Sequence, residues 1–532
     1  MSGVGRASAI LASGTIVSRL LGFARNFVLT LVFTGLVTVI GNAYTFSNAV
    51  PVSIYALIGG GLVSAVLVPQ IIRASAGADA GAAYIDKLVT IAIVFIGALT
   101  VLLTLAAPLL MRLYIRDEAT LAVAVPFAYW SLPQIFFLGM YAVLGEVLNA
   151  RRRFGAYTWA PVANNVVALA SLALFLVLFG PVSATASQPL GVAQTAVLAG
   201  GTTLGLAVQA LVLALVWRSA GLTYRPDFRW KGVGLKATGQ AAGWTFGMLA
   251  LTQVAGLIQN NVASGASGAA SPSVLALSTA WLLFMLPHSI VTVSLVTVFY
   301  PRMSEHAAAG DEAAVRDDVG LVLGTVLLAV VGITAALLAA ALPVVAVFSD
   351  TVAQARSVAP VLVAYLLGLI PFTVLFVVQR CFYALADTRT PFRFTVAQLL
   401  IVIPGILLCA LLPEPLIAVG IASVVTVGVA VQLVVAWTLL RRRIGSPAGP
   451  RLRAAMRRFA VAGVPALAAG LVLLLVLGGF GDGWPVASRL GGALATVLIA
   501  AVVLLVYAGV LALQRAPELT AAADLLRSRM RR

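Results

Sequence analysis

Runs of apolar residues about twenty long recur from one end of this chain to the other, separated by short polar stretches. Each run can cross a hydrocarbon core of ~30 Å as a helix. The short alternating strands of a membrane barrel are absent from the pattern. The pattern predicts fourteen transmembrane helices, near 8–35, 41–71, 87–112, 122–149, 158–180, 190–217, 237–264, 272–300, 318–347, 357–385, 392–412, 415–440, 455–479 and 486–513. The second and eighth run long and contain Pro51 and Pro287, so both are expected to kink or tilt, with the prolines as hinge or gate positions. No loop is long enough for a separate soluble domain. The first run is too long, and its SRLLGFARN interior too polar, for a cleavable signal.

Composition fixes the class. The 532 residues are 61% hydrophobic and 10% charged, against about a quarter charged in soluble domains. This is an all-α polytopic membrane protein. A net charge of +17 on a soluble chain would suggest nucleic acid. Here most basic residues flank the spans, so topology accounts for them and no nucleic-acid partner is expected. One set of alternate connections holds Arg73, Lys87, Arg151 to Arg153, the 218–236 cluster, Arg302, Arg316, Arg389, Arg393 and the cluster after Arg441. The opposite loops hold only Arg112, Arg116, Arg356 and Arg489. The positive-inside rule then puts both termini in the cytoplasm of a cell that carries the protein in its plasma membrane. Cys381 and Cys409 lie in apolar runs, and His288 and His306 are too few and too scattered for a metal cluster. No disulfide framework, metal or cofactor is expected.

The chain also repeats itself. VPQIIRASAGADA at 68–80 resembles YPRMSEHAAAGDE at 300–312, Pro108 corresponds to Pro343, and LNARRRF at 148–154 to FYALADTRTPF at 382–392. These offsets of about 232 to 235 residues, with an even number of spans between equivalents, predict two parallel repeats related by an axis along the membrane normal.

Candidate chemistry starts in the first span. Arg19 and Arg25 lie within it with no carboxylate nearby in sequence. A charge at membrane depth costs at least ~2.5 kcal/mol on insertion scales, so an unpartnered pair points to an anionic ligand that enters from water. Ser18 and Arg25 lie nearly two turns apart, as do Arg19 and Asn26, so each pair shares a face. The arginines are about 9 Å apart along the axis at 1.5 Å per residue. Forked donors so spaced suit a diphosphate. Gly22, between them, is a candidate hinge. The structural alternatives are snorkelling of Arg19 to the surface and satisfaction of Arg25 by helix carbonyls.

The second span opens with Asn42, Tyr44, Thr45, Ser47 and Asn48, then passes Pro51 and Gly59-Gly60-Gly61. So dense a polar run suggests a wetted cavity wall, with Gly60 as a hinge. Tight packing of small residues is the alternative. The seventh span contributes Gln253, Gln259, Asn260 and Asn261, of which Gln253 and Asn260 are taken as substrate contacts, but no arginine. Glu146 and Arg380 occupy equivalent repeat positions near helix exits, where a gate ion pair and separate interfacial partners are both open. No paired intramembrane carboxylates, Gly-rich phosphate loop or nucleophile–base set is present. The chain therefore reads as a transporter rather than an enzyme, with little sign of ion coupling.

SRLLGFARN at 18–26, LVPQ at 67–70, LNARRRF with APVANN within 148–165, FMLPHS at 284–289, YPRMSEHA at 300–307 and FYALADTRTPF at 382–392 resemble the MurJ (MviN) lipid II flippases. That family belongs to the multidrug/oligosaccharidyl-lipid/polysaccharide exporter superfamily, and the likeness is to its actinobacterial branch. The resemblance implies a six-helix lobe over 1–219, a second over 220–450, two additional helices over 451–514 forming a groove for a polyprenyl tail, and a basic cytoplasmic tail at 515–532. Ser18, Arg19 and Arg25 match functional positions of the family. Asn26 and Asn42 stand where many members have Asp. Tyr55 or Ala56, Leu282 and Met285 stand where charged residues are common. The implied activity is translocation of lipid II, the peptidoglycan precursor, to the outer leaflet by alternating access. Membrane lipids and wall-synthesis or division proteins would be its partners. Two other readings stay open: a multidrug or other lipid-linked oligosaccharide exporter, and a non-transporting scaffold of wall synthesis.

Overall fold

A computed structural model describes residues 3–59, 81–151, 153–229, 239–266 and 271–519. Each of the fourteen expected spans contains a helix within those residues, and the described residues contain no strand. The protein is a multi-pass helical membrane protein. Among the described residues, eleven helices are long and apolar enough to cross a membrane, or twelve if one bent pair is a single span. The second and seventh expected spans also supply helices.

The chain forms two compact units, Met1–Leu275 and Ala276–Arg532. The first holds α1 (Gly3–Val32), α2 (Val39–Tyr55), α3 (Ala82–Leu105), α4 (Ala107–Tyr114), α5 (Glu118–Ser131), α6 (Gln134–Ala150), α7 (Phe154–Phe179), α8 (Val192–Thr195), α9 (Gly201–Val216) and α10 (Gly239–Ala263). Within it α7 packs against both α1 and α9, α2 against α5, and α3 against α6. α10 is 25 residues long, which at 1.5 Å per residue is about 37 Å, enough to span.

The second unit begins near the start of α11 (Val274–Pro287). It continues through α12 (Val293–Ala308), α13 (Glu312–Ala339), α14 (Ala341–Phe348), α15 (Val352–Leu366), α16 (Leu369–Ala384), α17 (Arg389–Cys409), α18 (Glu414–Ile444), α19 (Pro450–Val476), α20 (Trp484–Ala487) and α21 (Arg489–Leu513). The last long helices, α19 and α21, pack on each other and on α13, and α21 also packs on α14.

The expected repeat is written into the local backbone. The eight-residue helices α4 and α14 each follow a break, at Ala106 and Ala340, with nearly the same dihedral angles. Each is followed by a capped helix start. Asp117 accepts a bond from the Thr120 amide at 2.7 Å, and Thr351 from the Gln354 amide at 3.2 Å. Both caps satisfy an amide that a helix start leaves unpaired. Pro126 in α5 and Pro360 in α15 then occupy equivalent places. Both helices stop at equivalent points, and α5 and α6 meet there at about 40°. The long spans with Pro51 and Pro287 show a further parallel: the helix widens to a π-turn at 56–59 in one and at His288–Thr292 in the other. Such turns are often found where a helix serves function.

Small residues set the helix spacing in the first unit. A Cβ on Gly205 of α9 would stand 2.5 Å from the Asn164 Oδ1 of α7 and 2.8 Å from its carbonyl oxygen. Backbone cannot yield as a flexible side chain can, so α7 and α9 approach this closely only with glycine there. Gly205→Val is expected to lower the melting temperature by several degrees, the result of about 1–3 kcal/mol of overpacking. Thermal unfolding in detergent followed by intrinsic fluorescence would check this, and an unchanged midpoint would show that the two helices part freely.

Candidate functional site

The first span is tied to the seventh helix at the point where its charge sits. The side-chain amide of Asn165, on α7, donates to the Ser18 carbonyl at 3.0 Å and lies 3.3 Å from the Ser18 hydroxyl. This bond holds the turn of α1 that carries Arg19. A Cβ on Gly22 would stand 4.0 Å from the same Asn165 nitrogen, an ordinary contact, so sterics alone do not require glycine there.

Beside that turn is an open cavity of about 370 Å³. Thr15, Ser18 and Arg19 of α1 line one side, and Tyr141 of α6 with Tyr157, Thr158 and Pro161 of α7 line the other. Pro161 explains part of the wall. It has no amide hydrogen, so the carbonyl four residues earlier, that of Tyr157, loses its helix bond. The Tyr141 hydroxyl donates to that carbonyl at 3.2 Å. The two tyrosine rings lie stacked, with centroids 5.3 Å apart and planes within 5°. Glu146, further along α6, is close enough to Tyr55, Tyr141 and Tyr157 to act on them electrostatically.

Arg19 and Arg25 are both half-buried. Neither has an ion pair or hydrogen bond to protein among the described residues. Arg19 borders the cavity; Arg25 does not line it, and Asn26 is half-buried one residue further on.

The other sequence candidates lie elsewhere. Asn42 is fully buried, and its oxygen accepts the Leu275 amide at 3.1 Å. Ser47 is fully buried and donates to the Tyr44 carbonyl at 2.8 Å. Asn48 is half-buried, donating to the Tyr44 carbonyl at 2.8 Å and accepting from Gln134 at 2.9 Å. Of these four bonds, those to Leu275 and Gln134 tie α2 to its surroundings, and the two to the Tyr44 carbonyl stay within the helix. Gln253 and Asn260 on α10 are half-buried, whereas their neighbour Asn261 accepts from the Arg116 side chain at 2.5 Å and donates to the Leu113 carbonyl at 3.0 Å. Pro51 is buried within α2, and Pro287 directly precedes the π-turn. Gly60 lies outside the described residues, as do the 68–80 repeat segment and most of the basic tail. Glu146 belongs to the first unit and Arg380 to the second. The Arg380 guanidinium lies 5.0 Å from the Phe376 ring centroid and 6.0 Å from that of Tyr383. Among the described residues, no group of His, Cys, Asp or Glu is placed to hold a metal ion.

A family model described as lipid II flippase MurJ matches residues 35–510. The chain belongs to the MurJ lipid II flippase family. A relative in Synechocystis sp., named a probable lipid II flippase MurJ, is 26% identical over 98% of this chain and 97% of its own. One from Rhizobium meliloti bearing the same name is 26% identical over 73% and 71%. Among solved structures, a MurJ described as a lipid II flippase in an inward closed conformation superposes with a TM-score of 0.72 at 19% identity. It covers 93% of this chain and 98% of that one. An inward-facing multidrug MATE transporter of the MOP superfamily superposes at 0.65, with 16% identity, over 80% and 94%. The MurJ fold thus accounts for nearly the whole chain, and the family is one of transporters.

Thr15, Tyr141, Tyr157, Thr158 and Asn165 were not among the sequence candidates. A signal for two of them was present: a proline inside an apolar helix leaves a carbonyl four residues back that needs a donor, which singles out Tyr157 and whatever tyrosine or serine can reach it.

Proposed function

We propose that this chain is a flippase that carries lipid II from the cytoplasmic to the outer leaflet. The observation that carries the reading is Arg19: a half-buried guanidinium on a membrane span, without an ion pair among the described residues, bordering an open cavity. Such a charge is tolerated where a ligand or water completes its shell. A diphosphate supplies the paired oxygens that forked donors fit. Arg25, about 9 Å along the helix by its rise, adds a second positive charge on the adjacent flank of α1, outside the cavity lining, with Asn26 beside it. The polar edges of Gln253 and Asn260 offer weaker contacts to the headgroup, while both ends of the Asn48 amide are already engaged within the protein. Asn42 and Ser47 serve the packing of α2 instead. The polyprenyl tail stays in the bilayer, with α19 and α21 beside it, and both termini face the cytoplasm.

No bond is made or broken, so the chemistry asked of the protein is binding and a change of access. MOP relatives with this fold are known in both inward-facing and outward-facing forms, which supports alternating access. Moving a net charge through 100 mV is worth ~2.3 kcal/mol, enough to bias the cycle. A multidrug exporter for cations fits less well, because the side chains bordering the cavity include an arginine and no carboxylate.

The direct test is transport of fluorescently labelled lipid II in vesicles containing the purified protein. Headgroups should become accessible on the opposite leaflet, and unlabelled lipid II should compete where a cationic drug does not. Protein-containing vesicles that flip no faster than empty ones would overturn the reading.

A further inference from the structure

The wall facing Arg19 is aromatic, and a diphosphate makes no use of it. We propose that Tyr157, held in place by Tyr141 and Gly145, is the carbohydrate platform of this site, seating the pyranose next to the diphosphate that Arg19 holds. This rests on the reading of the substrate as a lipid-linked saccharide.

Three observations support it. Tyr157 and Arg19 line one cavity of about 370 Å³ from opposite helices, so a ligand bound to the guanidinium meets the phenol ring. The C–H-rich face of a pyranose suits the negative face of an aromatic ring, and its hydroxyls suit a phenol oxygen. Second, the ring is anchored as a platform must be. A Cβ on Gly145 would stand 2.6 Å from two atoms of the Tyr157 ring, so the ring lies directly on the backbone of α6. Its other support is the parallel Tyr141 ring, 5.3 Å away. Third, the two tyrosines have separate duties. The Tyr141 hydroxyl is occupied by the carbonyl that Pro161 leaves free, and that residue is buried. Tyr157 is half-exposed at the cavity. Thr15 and Thr158 line the same cavity. A ring so supported loses little side-chain freedom when a sugar docks.

The experiment compares two ligands on the full-length protein in lipid nanodiscs: lipid II, and undecaprenyl diphosphate, which lacks the sugars. Tyr157→Leu should weaken lipid II binding about three- to tenfold, the range expected of an aromatic contact, and leave undecaprenyl diphosphate binding unchanged. Tyr157→Phe should retain most of the lipid II affinity. Arg19→Ala should weaken both ligands alike. Gly145→Ala, which displaces the ring without deleting it, should reproduce the sugar-selective loss and serves if Tyr157→Leu does not fold. Equal loss of both ligands in Tyr157→Leu and Gly145→Ala, or no loss of either, would overturn the platform while leaving the flippase reading intact. Wild-type protein that binds neither ligand would remove both.

Discussion

Arg19→Ala is expected to slow lipid II translocation at least about tenfold while leaving the melting temperature unchanged or slightly raised. The two halves of that expectation come from one fact. The Arg19 guanidinium has no ion pair or hydrogen bond to protein among the described residues. Deleting it therefore breaks no ion pair or hydrogen bond among the described residues and removes a charge that is costly at membrane depth. Its contribution lies with the substrate: a hydrogen bond to a charged group is worth ~1.5–3 kcal/mol, and 1.4 kcal/mol is a factor of ten. Arg19→Lys keeps the charge but not the fork, so an intermediate rate is expected. Arg25→Ala should also slow transport with stability retained. The measurements are the vesicle flipping rate and thermal unfolding of the same preparations. An Arg19→Ala protein that transports at the wild-type rate would break the link between this residue and the diphosphate. One that is strongly destabilised would mark Arg19 as a structural residue.

That combination, activity lost and stability kept, distinguishes a binding residue from a packing one, and the polar residues of α2 show why it is needed. Asn42, Ser47 and Asn48 sit in the same polar run and look alike in sequence. Asn42 turns out to hold the Leu275 amide, and Ser47 a carbonyl of its own helix. Sequence spacing states which residues share a face of α2. It does not state whether that face meets water or another helix, because the partner lies far along the chain. The same reason hid Asn165, which matters only because α7 packs on α1. What was legible was the part set by local chemistry: the apolar runs, the charges between them, and the repeat. Pro51 and Pro287 marked two of the spans that widen into π-turns, while a third π-turn, at Ala196–Gly200, has no proline to mark it. The breaks after Ser131 and Leu366 were not foreseen from hydrophobicity, although Pro133 and Gly368 stand at the caps of the helices that follow them.

The second large effect is expected in the other unit, at the foot of the YPRMSEHA segment. Asp318 of α13 is buried at 2% exposure and receives Arg302 and His306, both from the last turns of α12. The Arg302 Nε donates to Asp318 Oδ1 at 2.8 Å, a second guanidinium nitrogen reaches the same oxygen, and His306 Nδ1 lies 2.8 Å from Oδ2. One carboxylate thus fastens the end of the eighth span to the start of the ninth. Removing the buried member of such a network leaves its partners unmatched, whereas replacing the whole network by apolar side chains is often neutral. Asp318→Ala is therefore expected to lower the melting temperature by about 4–8 °C and to slow transport, because the helix that bears the π-turn loses its fixed foot. Asp318→Asn should fall between, keeping one hydrogen bond without the charge. Solvent tempers the loss, since Arg302 and His306 remain partly exposed and can hydrate. The deciding comparison is the triple change Asp318→Leu, Arg302→Leu and His306→Leu. Recovery of stability without recovery of transport would assign the network to the transport cycle itself. Recovery of both would make it a clasp that any well-packed contact can replace. A melting temperature in Asp318→Ala equal to that of wild type would show that α12 and α13 are held together without it.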